Sequence, residues 1–488
     1  MKRNLLFVLG ILVGGAAFAQ EEPKQYTLQE CVDIALEKNL KVKRSLYNMQ
    51  NFRIALLQSK AAFLPTLNTF TTYGQNFGRG LNPVTNLYAN RNSSNIQVGA
   101  TSSMTIFNGL RLQNNFRASQ RDVESSGKDF EKAKNDVIIN VVTFYTNVIF
   151  NKELYENSKY QLNSSQQQLE RIKKQVLAGA LPKSNELTQE ATVATNEVNL
   201  INQENTLNLS ILQLKQAMQL PSSTPLDVVI PQIAIEDLIL DQAPEEIYAI
   251  ALEAMPEIKS AILKVESSEL ALKASKGNYY PRITLNANAT SNYSSLSDNQ
   301  RSALDPDTPP SLSTNPIGMA VANVPGFPSL SAPVYTYVPA TKVIASDYDE
   351  RAQLKDNLFK GFSFQLSVPI FNNLQTRSAV QRAAVQNELA LITKQETENT
   401  LRQTIETAYN DALAASKTYN ASLKQVNARE EAFRMNTQRF DIGALSQVEY
   451  QISENDLFQA KSDLTRAKYS FIFKKKVLDF YQGKTINY

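Results

Sequence analysis

The chain has 488 residues, with 50 basic and 47 acidic side chains and a formal net charge of +3. That near-balance gives no support for nucleic-acid binding. The chain has no histidine and one cysteine, which excludes histidine-based catalytic triads, histidine-ligated metal sites and intrachain disulfides. We find no catalytic signature, and we therefore expect no enzyme activity, no cofactor, and no catalytic, cofactor-binding or metal-binding residue.

The N-terminus predicts export. The chain starts with Met and two basic residues, an apolar run extends from Leu5 to Val13, and small residues follow up to Ala19. This order is typical of a secretory signal peptide, here residues 1–19, although a buried first helix is an alternative. The run is shorter than the roughly 20 residues of a membrane helix, and no later segment approaches that length. An exported chain of this kind is secreted, periplasmic or a β-barrel.

The remaining sequence contains two copies of one unit. The triplet Ala-Leu-Glu at 35–37 recurs 216 residues later at 251–253, and Gly-Ala-Leu at 179–181 recurs 264 residues later at 443–445. Both offsets are shared by further matches, so the 48 additional residues of the second copy lie between 281 and 371. Internal duplication is therefore predicted.

Repeat 1 is predicted at 20–219. Leu28, Val32 and Ala35 recur at helical spacing, and the chain leaves the helix before Pro65, because a residue that precedes proline disfavours helix. We read Cys31, between these residues, as a small core residue. The predicted elements are a helix at 27–60, a strand pair at about 66–107, a long helix at 110–177 and a return helix at 182–219.

A connector at 220–242 leads to repeat 2, at 243–488. Its predicted elements are a helix at 243–276, a strand pair at about 282–371 with a long irregular outer loop at 297–357, a long helix at 374–441 and a return helix at 446–482. The long helices contain no proline and would reach about 100 Å at 1.5 Å per residue. Two shorter helices end to end have a similar length, which predicts paired coiled-coil layers.

The predicted strands alternate apolar and polar residues. The alternation is weakest near 67–77 and clearest in the last strand, with apolar residues at Phe362, Phe364, Leu366, Val368 and Ile370. One apolar and one polar face fit either a wall between lipid and water or an ordinary half-buried sheet. Four strands cannot close a barrel, and lipid does not tolerate an open edge. We therefore expect several chains to share one barrel, and three chains give twelve strands, within the known range.

Several segments resemble the TolC family of outer-membrane efflux and secretion channels. They are the opening helix at 26–39, the helix-to-strand junction at 61–67, the strand-to-helix junctions at 104–109 and 368–372, and the hairpin turn at 438–446. Each motif alone is short, but their order and spacing together are specific. The resemblance implies an α+β membrane protein, in which a trimeric twelve-stranded β-barrel with four strands per chain continues into a long periplasmic α-helical coiled-coil barrel.

The same resemblance implies a location and partners. We expect a homotrimer in contact with lipid in the outer membrane of a Gram-negative bacterium, with a large periplasmic part. It would form the passive conduit of a tripartite efflux or type I secretion system. A periplasmic adaptor (membrane fusion) protein would connect it to an inner-membrane transporter of RND, ABC or MFS type, which supplies the energy. A non-channel coiled-coil periplasmic scaffold or surface adhesin is the alternative, and the cargo is not identified by the sequence.

The resemblance also assigns candidate sites at the helical hairpin turns. Family members meet the adaptor there, at positions that match Gly179, Ala180, Leu181, Ser184, Gly443, Ala444, Leu445 and Ser446. These residues also suffice to form a turn, and both roles remain open.

A candidate pore constriction is Glu449, accompanied by Phe440, Arg439 and Asp441. Three copies of Glu449 around a threefold axis would attract cations and raise one another's pKa. A solvated helix residue is the alternative. The family's second carboxylate position is Ile452 in this chain.

Overall fold

The computed structural model describes residues 25–81, 88–90, 92–230, 242–295, 301–322, 325, 330–345 and 348–484. The predicted signal peptide at 1–19 lies outside these residues, as do parts of the connector and of the outer loop. Within them the chain divides into two compact units. Among the described residues, the strand unit lies within 58–116 and 273–380, and the helical unit lies within 25–57, 117–272 and 381–484.

Helices account for most of the described residues. They are Leu28–Lys38 (α1), Leu40–Ala61 (α2), Arg111–Leu177 (α3), Lys183–Ala217 (α4), Pro244–Ala254 (α5), Pro256–Lys276 (α6), Glu350–Asp356 (α7), Gln375–Asp441 (α8) and Gln447–Tyr481 (α9). The two long helices have 67 residues each and the two return helices have 35 each. No helix of the described residues combines the length and the apolar character that a bilayer crossing requires.

The opening helix of each copy is interrupted once. The single helices predicted at 27–60 and 243–276 are wrong in this respect, because Asn39 and Met255 have extended backbones with ψ of 127° and 130°. Met255 precedes Pro256, and a residue in that position disfavours helix. The residue directly after Asn39 is not a proline. The side-chain oxygen of Asn39 instead accepts the backbone N–H of Lys41, two residues further on, at 2.8 Å. Such local bonds compete with the helical pattern.

Strands make up the second class of element. They are Gln25–Tyr26 (β1), Thr66–Asn76 (β2), Arg79–Leu81 (β3), Tyr88–Asn90 (β4), Ser93–Phe107 (β5), Asp227–Val228 (β6), Arg282–Ser294 (β7), Arg301–Leu304 (β8), Ser311–Leu312 (β9), Gly318–Ala322 (β10), Leu330–Val334 (β11), Tyr337–Val338 (β12), Thr341–Ala345 (β13) and Phe359–Ser367 (β14).

The strand unit is built on a four-stranded antiparallel sheet in the order β14-β7-β5-β2. Its register runs across all four strands, since Phe362 pairs with Ala287, Ala287 with Ser102, and Ser102 with Leu67. Directly paired residues share a face of a sheet. Phe362, Ala287 and Leu67 therefore lie on one face, where Ser102 interrupts the apolar series. Phe362 and Leu67 are each 75% exposed there.

Two strand ends differ from the sequence prediction. The last strand ends at Ser367 and does not continue through Val368 and Ile370. Proline has no N–H to donate to a neighbouring strand, so Pro369 is incompatible with an extended ladder. Near the end of β5 the register with β7 shifts between Thr105 and Phe107. A bulge of this kind bends the strand and changes which side chain occupies the next paired position.

The loop predicted as irregular at 297–357 contains regular structure. Strands β8, β9 and β10 pair antiparallel with β13, β12 and β11, so that three short ladders are nested in one folded-back segment. Helix α7 follows, and Asp349 caps it by accepting a bond from the N–H of Ala352 at 2.8 Å. The expectation of an irregular loop is therefore wrong for the described part of this segment.

The helical unit has two buried apolar clusters. The larger one joins residues of α1, α2, α3, α4 and α9 with the part of the connector around β6, and the smaller one joins α5, α6, α8 and α9. Cys31 is fully buried in the larger cluster, as predicted, and burial raises the pKa of its thiol to about 12. The Tyr145 hydroxyl donates to the backbone oxygens of Tyr26 and Val229 at 3.1 and 2.8 Å, which attaches the chain around β1 and β6 to α3.

Candidate functional site: the helical hairpin turns

The two turns that end the long helices have the same backbone geometry. Gly179 and Gly443 have φ of 72° and 75°, in the left-handed region that favours glycine. At the first turn the N–H groups of Gly179 and Ala180 donate to the carbonyl oxygens of Val176 and Gln175 at 3.0 and 2.9 Å. The second turn repeats both bonds 264 residues later, at 3.0 and 2.8 Å. This is the Schellman arrangement, which satisfies the last carbonyls of a helix.

The helices that leave the turns begin differently. Ser446 starts α9 with a capping box: its hydroxyl accepts the N–H of Glu449 at 3.3 Å, and the Glu449 carboxylate accepts the backbone N–H of Ser446 at 3.1 Å. The corresponding residue before α4 is Pro182, which makes no side-chain cap. The second turn is therefore fixed more firmly at its exit, because two donors of the helix start are satisfied.

Glu449 is exposed and charged. The hydroxyl of Ser446 donates to its Oε2 at 2.8 Å. This bond, the backbone N–H of Ser446 and nearby Arg439 hold the pKa of the Glu449 carboxyl below its usual range. Bonds to the ionised form favour that form. Within one chain the effect is the reverse of the mutual increase expected for three neighbouring carboxylates.

Phe440 packs inside the hairpin. Its ring stacks on that of Tyr450 with a centroid distance of 4.7 Å and an interplanar angle of 29°. Phe433 contacts the same tyrosine at 5.5 Å, and Tyr450 is 8% exposed. Offset aromatic pairs of this kind contribute about 0.5–1.5 kcal/mol beyond their buried area. Phe440 therefore joins the ends of α8 and α9.

Asp441 connects the two hairpins. Its carboxylate pairs with Arg171 of α3 at 2.9 Å, and both side chains are about half exposed. An exposed ion pair contributes between about 0 and 1 kcal/mol, so the contact aligns the hairpins more than it stabilises them. Arg439, which the sequence analysis placed beside the constriction, acts on Glu449 as a neighbouring charge.

A buried glutamine cluster, formed by Gln189, Gln447 and Gln451, also joins the hairpins. Gln189 of α4 is fully buried and Gln447 is 7% exposed. The Gln189 Oε1 accepts bonds from Gln447 and Gln451 of α9 at 3.1 and 2.7 Å, while its Nε2 donates to the Ser165 carbonyl of α3 at 3.0 Å. Three helices therefore meet at one amide. No sequence signal indicated this cluster, because glutamine within a polar helix predicts a solvated face.

The structure thus brings together only part of the predicted set. Glu449 and Ser446 contact each other, and Arg439 lies near enough to affect the carboxylate. The turn residues Gly179 and Gly443 are exposed, and a Cβ placed on either meets no atom within 4 Å. Two apolar neighbours that the sequence analysis did not select, Leu177 and Ile442, are 88% and 79% exposed. No cluster suited to a metal ion occurs in the described part of the chain.

A four-stranded sheet with an exposed apolar face, together with long antiparallel helical hairpins, defines an outer-membrane channel fold. The crystal structure of VceC from Vibrio cholerae is similar, with a TM-score of 0.72 at 11% identity, covering 94% of this chain and 97% of that chain. At that identity the likeness concerns the fold.

Relatives with similar sequences are also outer-membrane proteins of efflux systems. The solvent efflux pump outer membrane protein SrpC of Pseudomonas putida is 22% identical over 467 residues, which is 91% of this chain and 83% of that protein. The outer membrane efflux protein BepC of Brucella suis is 23% identical over 291 residues. That second match covers 58% of this chain and 59% of the relative, so it spans about three fifths of that protein's length.

The family model described as outer membrane efflux protein matches residues 31–218 and 345–478. The chain belongs to this family, whose members are channel proteins and not enzymes. The predicted resemblance, the α+β channel fold and the location in the outer membrane of a Gram-negative bacterium, with a large periplasmic helical part, are confirmed.

Proposed function

We propose that the chain is one subunit of a homotrimeric channel that passively conducts efflux or type I secretion substrates from the periplasm to the exterior. The observation that supports this most is the sheet. Among the described residues, β14 and β2 each pair with a neighbour on one side only. Unpaired backbone groups at a sheet edge are costly in lipid. Joining β14 of one chain to β2 of the next removes every edge, and three chains give twelve strands.

The apolar face of the sheet supports the same assembly. Phe364 and Leu366 of β14 are 67% and 64% exposed, and Tyr73 of β2 is 61% exposed. An outer face of this character suits contact with acyl chains, whereas the alternating polar residues suit a water-filled interior. The alternative of a coiled-coil scaffold or adhesin gives no reason for such a sheet, and the family match also disfavours it.

The hairpin turns are the proposed contact for a periplasmic adaptor. Both turns are exposed, and Leu177 and Ile442 present apolar side chains next to the glycines. Exposed apolar residues beside a polar surface are typical of interaction sites. An inner-membrane pump of RND, ABC or MFS type would supply energy through that adaptor.

Glu449 is the proposed cation-selective constriction. Its carboxylate is exposed, and within one chain its pKa is lowered. Three copies around the axis of a trimer would form a ring of the kind that selects cations.

Conductance in planar lipid bilayers tests the channel. Purified protein in detergent is expected to insert and give discrete ion currents, and heat-denatured protein serves as the control. Absence of currents from trimeric protein would refute the proposal. A water-soluble protein that needs no detergent would support the scaffold instead.

The adaptor contact requires a separate test. Leu177→Asp and Ile442→Asp should reduce efflux of a fluorescent substrate from the native cell while bilayer conductance persists. Leu209→Asp on α4, where the side chain is 52% exposed, is the matched control. If all three variants transport equally, the turns do not dock the adaptor.

A further inference from the structure

A polar cavity lies at one end of the four-stranded sheet, within the strand unit. It has a volume of about 390 Å³, which falls in the range of about 300–1,000 Å³ typical of small-molecule sites. Arg282 begins β7 and pairs with Ser367, the last residue of β14, and both line the cavity. The cavity therefore lies where the strands pass into the segments that precede the helices.

Two glycines in direct contact form one wall. A Cβ on Gly109 would lie 2.3 Å from the carbonyl oxygen of Gly277, and a Cβ on Gly277 would lie 2.7 Å from the carbonyl oxygen of Gly109. Real Cβ atoms do not approach oxygen so closely, so only glycine fits at either position. This close approach brings Arg111 beside Asn278, and the guanidinium donates to the Asn278 Oδ1 at 3.2 Å.

The cavity carries positive charge without a counter-charge. Arg111 and Arg282 both line it, and no Asp or Glu does. Neither arginine forms an ion pair with any residue that the structure describes. Arginine remains charged at every relevant pH, so two like charges line one cavity. Binding an anion there would relieve their repulsion and supply acceptors for the guanidinium donors that do not bond to Asn278.

Neutral polar groups complete the lining. Asn108 is 7% exposed, and its Oδ1 accepts the N–H of Leu112 at 3.3 Å. Its Nδ2 makes no bond to the described residues and remains as a donor towards the cavity. Asn372 and Thr376 instead bond to each other at 2.6 Å. The guanidinium groups of Arg111 and Arg282 and the Asn108 amide thus offer donors, the chemistry that a phosphate oxygen requires.

We propose that this cavity binds a phosphate group, held by Arg111 and Arg282 with Asn108 as a further donor. Two sources share that chemistry, a phospholipid head group and free inorganic phosphate. The end of a membrane-crossing strand lies at head-group level, where arginine meets lipid phosphates, so both sources can reach the site. The inference concerns ligand binding and does not depend on conduction or on an adaptor.

Native mass spectrometry of the full chain in detergent tests the proposal. The probes are phosphatidylglycerol, diacylglycerol, which lacks phosphate, and inorganic phosphate alone. Arg282→Gln is the principal variant, because Arg282 is exposed and its side chain bonds to none of the described residues. Arg111→Gln is the second. Arg377→Gln is the matched control, since Arg377 is exposed in the same unit and does not line the cavity.

We expect the wild type and Arg377→Gln to retain phosphatidylglycerol, with roughly tenfold weaker retention by Arg282→Gln and Arg111→Gln and none of diacylglycerol. Phosphate binding that depends on the same arginines, without lipid retention, would support the site with free phosphate as its source. Equal retention of both phosphate-bearing probes by wild type and Arg282→Gln would overturn the proposal, whatever Arg111→Gln shows.

Discussion

Replacing Gln189 by alanine should loosen the contact between the two helical hairpins. The change removes the shared acceptor of the glutamine cluster. Gln451 keeps a second acceptor, the Thr192 hydroxyl at 2.9 Å. Gln447 is 7% exposed and loses the one acceptor that it has among the described residues. The other amide atom of Gln447, Oε1, already has no partner. The free-energy cost of the substitution therefore arises mainly at the buried side chain of Gln447.

The expected loss of stability follows from the unpaired Gln447 donor and from the shorter side chain at position 189. A buried donor without a partner costs about 1–3 kcal/mol, and the space left by the shortened side chain adds about 1 kcal/mol. The sum is about 2–4 kcal/mol. Since 1.4 kcal/mol corresponds to a factor of ten, local opening around Gln189 should become at least about 30-fold more frequent. Opening of α4 near its start exposes backbone N–H groups to solvent.

Hydrogen–deuterium exchange of peptides from the first half of α4 measures this opening in detergent. Gln459→Ala on α9 is the matched control, because Gln459 is exposed and bonds only to Asp463 of its own helix. Gln189→Leu combined with Gln447→Leu should exchange more slowly than Gln189→Leu alone, since replacing both partners leaves no orphaned group. Exchange in Gln189→Ala no faster than in Gln459→Ala would refute the reasoning.

Three further predictions concern the turns and the core. Glu449→Ala should abolish cation selectivity in single-channel recordings, whereas Asn185→Ala at the equivalent position of the first turn should not. Because hydrogen bonds from Ser446 and the nearby Arg439 lower the pKa of Glu449 within one chain, its charge and the selectivity should persist at neutral pH and decline only as the pH falls through that pKa. Loss of selectivity at neutral pH would contradict this. Gly443→Ala should destabilise its turn by about 1–2 kcal/mol, because Gly443 has a positive φ. Gly127→Ala lies inside α3 with open space around it and should stabilise the helix by about 0.5–1 kcal/mol. Thermal unfolding that ranks the two variants in the opposite order would refute this. Cys31 should resist maleimide until the protein is denatured, because it is fully buried and its thiol pKa is raised to about 12; rapid labelling of native protein would contradict its burial.

Local sequence signals predicted the helices and most of the sheet. The absence of proline over the long helices and the glycines at their ends gave bounds within one residue of α3 and α8. The helix break at Met255 and the strand end before Pro369 were also predictable from the sequence, because proline restricts its neighbours. The helix break at Asn39 was not predictable, since asparagine is common within helices and at their ends.

The candidate site was less accessible to sequence analysis. The Schellman turns involve only residues that are close together in the chain, so the glycine by itself is enough to predict them. The pair of Arg171 with Asp441 joins residues 270 positions apart, and no local pattern selects one arginine among many. The same holds for Gln189, whose burial depends on three helices meeting. Contacts of this kind follow from packing, which is not encoded in the spacing of residues along one helix.

The number of chains in the detergent-extracted particle tests the central claim most directly. Light scattering of the purified outer-membrane protein, corrected for bound detergent, gives that number. The shared-sheet account predicts three chains per particle, with β14 of each beside β2 of the next. A particle of one chain with an intact four-stranded sheet would contradict it, because the two edges of that sheet would then remain open in the membrane.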